Sequence, residues 1–74
     1  MNRLGTQQDL AITLNGEPVT TRARSLDELV EQQRLTSLKV ATAINGRFVA
    51  QSQRATTALK AGDRVEIVSP RQGG

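Results

Sequence analysis

Two Asn-Gly pairs, Asn15-Gly16 and Asn45-Gly46, each lie between short runs rich in β-branched and apolar residues. A two-residue hairpin turn of type I′ needs positive φ at both central positions, and Asn-Gly meets that need at little steric cost. Each pair therefore predicts a hairpin. In the first, Leu10, Ile12 and Leu14 alternate with Ala11 and Thr13, the period of a half-buried strand, and Glu17 to Arg22 returns as its partner. Pro18 lacks an N–H donor, which places it on an edge strand or near the start of that run. In the second, Lys39 to Ile44 and Arg47 to Ala50 form the two arms.

Between the hairpins the period changes. Ser25-Leu26-Asp27-Glu28 fits a capping box, in which Ser25 accepts from the Glu28 amide and the Glu28 side chain reaches back. Leu26, Leu29 and Val30 fall on one helical stripe, and Asp27 and Glu28 favour the positive end of the helix dipole. The helix is expected to end near Leu35, where Thr36-Ser37 breaks the pattern. After the second hairpin, Gln51 to Thr57 reads as a loop or short helical turn and Leu59 as its anchor to the core. Lys60-Ala61-Gly62-Asp63 places glycine where a type II turn requires positive φ. Arg64 to Ser69 reads as the final strand, with Val65 and Ile67 facing inward.

The order is strand, strand, helix, strand, strand, strand. One helix with one apolar stripe is covered by one sheet face. Setting the last strand beside the first, in parallel, gives a right-handed crossover around the helix. The expected class is α+β: a β-grasp with a mixed sheet of four or five strands on one helix. Residues 1–8 read as a flexible N-terminal extension, 9–70 as the domain, and 71–74 as a flexible tail ending Gly73-Gly74.

Composition narrows the chemistry. With 74 residues, a single small core is feasible but a core plus a deep catalytic pocket is not. The chain has no cysteine and no histidine. That removes a thiol nucleophile, disulfides, thiolate metal sites and the usual general base near neutral pH. No bound cofactor and no metal are expected. No run approaches the ~20 apolar residues of a membrane span, and no signal-peptide pattern follows Met1, so a cytoplasmic protein without membrane partners is expected. The net charge of +3 raises the question of nucleic acid. The basic residues are scattered, among them Arg22, Arg24, Lys39, Arg47, Arg54, Lys60, Arg64 and Arg71, and Phe48 is the single aromatic. A nucleic-acid surface clusters its cations and adds stacking platforms, so a solvated surface is the better reading. A basic face for an acidic protein partner stays open.

Val40 to Gly46, then Leu59 to Val68, then Gly73-Gly74 together resemble the thiamine sulfur carrier family, a ubiquitin-like β-grasp group. The likeness runs from about Leu10 to Gly74. It implies that a ubiquitin-activating-type enzyme uses ATP to adenylate the carboxylate of Gly74. The adenylate is then converted to a thiocarboxylate with sulfur from a donor protein, and the sulfur passes to thiazole synthase. It further implies that Gly73 is the partner of Gly74 in the motif, and that the chain is a carrier acted upon rather than an enzyme. Arg71 and Gln72 read as tail residues recognised by the partners or as solvated tail, with recognition the better reading. Ala50 and Gln51 replace a proline and a basic residue found in many members. The tail Pro70-Arg71-Gln72 also resembles that of the small subunit of molybdopterin synthase. That subunit, and a ubiquitin-like protein modifier, are the alternative readings.

Overall fold

The computed structural model describes residues 9–33 and 39–69. Five strands form one sheet: β1 (Leu10–Leu14), β2 (Glu17–Thr21), β3 (Ala41–Ile44), β4 (Arg47–Val49) and β5 (Arg64–Val68). One helix, α1 (Leu26–Gln32), follows β2, and a 3₁₀ turn spans Gln51–Thr56. The sheet order is β2-β1-β5-β3-β4. β1 and β5 are parallel and the other neighbours antiparallel, as the expected β-grasp requires.

Both hairpins turn where the Asn-Gly pairs stand. Asn15 and Asn45 have φ of 51°, Gly16 and Gly46 have 86° and 85°. The first pair sets Leu14 opposite Glu17 and Thr13 opposite Pro18. In a two-residue hairpin the closing pair exchanges the hydrogen bonds, so the next pair does not. Pro18 thus needs no donor towards β1, and β2 is an edge strand. Gly62 takes φ of 89° in the third position of its turn, and the Asp63 amide donates to the Lys60 carbonyl at 3.1 Å.

The core lies between α1 and one face of the sheet. Leu26, Leu29 and Val30 meet Ile12, Val49, Val65 and Ile67, with Ala23 and Leu59 closing the sides. Val65 and Ile67 point inward and Leu59 is buried, as expected. A seven-residue helix is too short to persist alone, so α1 stands on this packing and on its cap. Ser25 Oγ accepts from the Glu28 amide at 3.2 Å. The return bond lands one residue earlier than a capping box predicts: the Glu28 carboxylate accepts from the amide of Arg24 at 2.7 Å. Thr21 Oγ1 donates to the Gln32 side chain at 2.6 Å and ties the end of β2 to the last residue of α1.

Several ends differ from the sequence reading. α1 stops at Gln32, with Gln33 as C-cap, its amide shared between the carbonyls of Leu29 and Val30. Leu35 and Thr36-Ser37 lie outside the described residues. β3 begins at Ala41, not Lys39, because β5 ends opposite it at Val68 and offers nothing further to pair with. β5 accordingly ends one residue before Ser69. β4 ends at Val49 because the Ala50 carbonyl accepts from Gln53 and opens the 3₁₀ turn. β2 ends at Thr21, opposite the first residue of β1.

One correction concerns chemistry. Arg54 is not part of a solvated basic surface; it is only 7% exposed. From the 3₁₀ turn its Nε donates to Thr42 Oγ1 at 3.1 Å and its Nη2 to the Val40 carbonyl at 2.7 Å. Thr42 Oγ1 donates onward to the Val49 carbonyl at 2.8 Å. The guanidinium thus satisfies the β3–β4 hairpin from below. Arg22, Lys39, Arg47, Lys60 and Arg64 are exposed.

Candidate functional site

The residues singled out in the sequence, Arg71, Gln72, Gly73 and Gly74, lie outside the described residues, as do Pro70 and residues 1–8. The structure describes the root from which they continue and the surface around it.

That root is β5. Its side chains alternate strictly: Val65 and Ile67 enter the core, while Arg64, Glu66 and Val68 are exposed on the opposite face. On that face the register sets Glu66 beside Ala43 and Ala43 beside Phe48, with Val68 beside Ala41 in the next row. The two alanines keep the middle low, and Phe48 and Val68 rise at 72% and 56% exposure. With the Asn15-Gly16 turn they border a hollow of about 550 Å³. Two large exposed apolar side chains over a floor of small ones, with one carboxylate, Glu66, among them, suit protein contact better than a small substrate. Among the described residues there is no group of acidic, histidine or cysteine side chains able to hold a metal ion. No helix of the described residues is long and apolar enough to cross a membrane.

The strand carrying this face is fastened by the two turn asparagines. Asn45 Oδ1 accepts from the Arg64 amide at 2.9 Å and its Nδ2 donates to Asp63 at 3.0 Å, securing the start of β5. Asn15 Oδ1 accepts from the Ile67 amide at 2.9 Å and its Nδ2 donates to the Ile67 carbonyl at 3.1 Å, securing its end. The sequence marks both asparagines as turn formers. Their second use depends on what the turn is folded against, which no local pattern displays. The Phe48–Val68 face was better signposted, since the phase that sends Val65 and Ile67 inward sends Val68 outward.

The model of the ThiS family matches residues 5–74. This chain belongs to the ThiS family. The crystal structure of the thiamine biosynthesis protein ThiS from Geobacter metallireducens superposes with a TM-score of 0.71 at 28% sequence identity. The match covers 81% of this chain and 93% of that one. No curated protein matches. The ThiS match extends on both sides of the described domain and takes in Gly73 and Gly74.

Proposed function

We propose that this chain is the sulfur carrier that supplies the thiazole sulfur of thiamine in the cytoplasm, with Gly74 as the atom-bearing position. The observation that carries the reading is the ThiS family match running through residue 74. A free carboxylate is a poor electrophile. Attack of a Gly74 oxygen on the α-phosphate of ATP, with pyrophosphate leaving, makes it an acyl-adenylate. The outer sulfur of a donor protein's persulfide then displaces AMP to give an acyl disulfide, and a thiol cleaves its S–S bond, leaving the donor side as a disulfide and releasing the thiocarboxylate, from which thiazole synthase takes the sulfur. ATP belongs to the adenylating partner. Gly73 and Gly74 have no Cβ and enter a narrow slot in any backbone conformation, with Arg71 and Gln72 read at its mouth. A chain with neither cysteine nor histidine suits this division of labour, because the sulfur travels on the backbone carboxyl.

The Phe48–Val68 face is the docking surface for the adenylating enzyme in this reading. It ends at Val68, so a partner seated there lies beside the point from which the chain continues to Gly74. Such a partner offers an apolar recess for Phe48 and a cation opposite Glu66. Replacing Phe48 with serine is expected to raise the KM of the adenylating enzyme for this protein about tenfold or more, the cost of removing a central aromatic anchor. The urea midpoint should stay close to that of the parent, since an exposed side chain is lost. An unchanged KM would remove this face from the docking surface.

The test of the function itself is the intact mass of the protein isolated from its own cell. A gain equal to one sulfur replacing one oxygen, confined to the C-terminal peptide, supports the carrier. An unmodified mass in thiamine-starved cells, with hydrolysis excluded, refutes it. A glycine-dependent link to other proteins would make it a modifier instead.

A further inference from the structure

In β5, even-numbered residues turn their backbone groups to β3 and odd-numbered ones to β1. The Asn45 amide reaches the Arg64 carbonyl from the β3 side, and the Asn15 amide reaches the Val65 carbonyl from the β1 side. β1 itself pairs with β5 only at Arg64 and Val65. Beyond that point β1 has already turned into its hairpin, and the N–H and C=O of Ile67 face a side where no strand continues. The Asn15 carboxamide fills the gap. Its oxygen takes the Ile67 amide and its nitrogen the Ile67 carbonyl, so a side chain stands in for one more peptide of β1. Only one orientation of the amide satisfies both bonds.

We infer that Asn15 is a positioning residue for the reactive tail: by holding Ile67 it braces the β1 side of the end of β5, from which the chain continues to Gly74. The assignment rests on the sulfur-carrier reading. Gly74 lies seven residues along the chain from Ile67, a reach of at most about 25 Å. Releasing Ile67 frees the strand end on the β1 side and leaves it held on one side alone, by the pairing of Val68 with Ala41 of β3. The docking face keeps its β3 pairings when these bonds are lost, Phe48 and Glu66 beside Ala43 and Val68 beside Ala41. Loss of the Asn15 bonds should therefore scatter the carboxylate within the docked complex without weakening docking, which lowers kcat and spares KM.

Asn15→Gly keeps the turn, since glycine accepts the φ of 51° freely, and deletes the carboxamide. Asn15→Asp keeps the acceptor for the Ile67 amide and loses the donor. Asn45→Gly makes the same change in the other hairpin and releases the start of β5, away from the tail. With the full chain, the adenylating enzyme and ATP, pyrophosphate exchange should show kcat down about tenfold for Asn15→Gly at unchanged KM. Asn15→Asp should fall between, and Asn45→Gly should match the parent when all are compared well below their melting temperatures. Amide exchange by NMR should show Ile67 losing protection on the order of tenfold in Asn15→Gly alone. Equal kcat in Asn15→Gly and parent, or an equal fall in Asn45→Gly, overturns the assignment. If the parent supports no exchange of pyrophosphate, the carrier reading fails separately. Unaltered Ile67 protection in Asn15→Gly then overturns the hold on the strand end as well.

Discussion

A chain lacking Gly74 is expected to fold as the full chain does and, on the sulfur-carrier proposal, to be inert towards ATP in the presence of the adenylating enzyme. The core is built from Ile12, Ala23, Leu26, Leu29, Val30, Val49, Leu59, Val65 and Ile67, and none of these is within six residues of Gly74. The melting and urea transitions should therefore coincide with those of the parent. The chemistry fares differently. Removing one residue withdraws the carboxylate by about 3.5 Å along an extended chain. In-line attack on the α-phosphate tolerates far less, since a misplacement of ~1 Å already costs about a hundredfold. ATP–pyrophosphate exchange should fall to background, and the sulfur-for-oxygen mass gain should vanish. Exchange retained by the shortened chain would mean that Gly74 is not the position activated.

The second large effect is on stability, at Arg54. Arg54→Ala withdraws donors from Thr42 Oγ1 and from the Val40 carbonyl and leaves a void beneath the β3–β4 hairpin. Hydrogen bonds from a charged donor contribute about 1.5–3 kcal/mol, and a buried carbonyl left without a partner costs about 1–3 kcal/mol. The stem of the arginine also packs. Part of this is offset because the guanidinium no longer has to be taken out of water. A net loss of about 2–4 kcal/mol is expected, against about 4–11 kcal/mol for the stability of a domain this size. In a domain this small that corresponds to a melting temperature lower by about 10–25 °C. Arg54→Lys should recover only part, because an ammonium lacks the planar fork that reaches both acceptors. Urea unfolding with an unchanged m-value measures it. A loss under about 0.5 kcal/mol for Arg54→Ala would mean that water takes over both acceptors at no cost.

Arg54 also shows where sequence reading runs out. A basic residue in the polar run Gln51 to Thr57 carries the signature of solvent, and its burial is decided by Thr42 and Val40, residues that a hairpin brings beneath it. The hairpins were legible because the demand for positive φ is local, and Asn15-Gly16 and Asn45-Gly46 answer it in two residues. The helix was legible from Ser25 and the Leu26–Leu29–Val30 stripe for the same reason. The sheet order followed because one apolar stripe and one crossover leave few arrangements. The strand ends were not legible: where β3 starts depends on where β5 stops, and each reads as continuing when taken alone. The glycines proposed to react were legible only through the resemblance, for Gly73 and Gly74 alone are indistinguishable from a loose end.

The strand order also governs when a newly made chain becomes whole. β5 is the last of the described strands to be synthesised, yet it lies between β1 and β3. A ribosome that has made everything up to Gly62 has released two separate hairpins and a helix with no sheet to rest on. Such a fragment exposes Leu26 and Leu29 to proteases and chaperones, and it has no face complete enough to engage a partner. Domains generally become stable as units during translation. Here the unit closes only when β5 has itself been made, so a product broken off before Arg64 has no complete sheet.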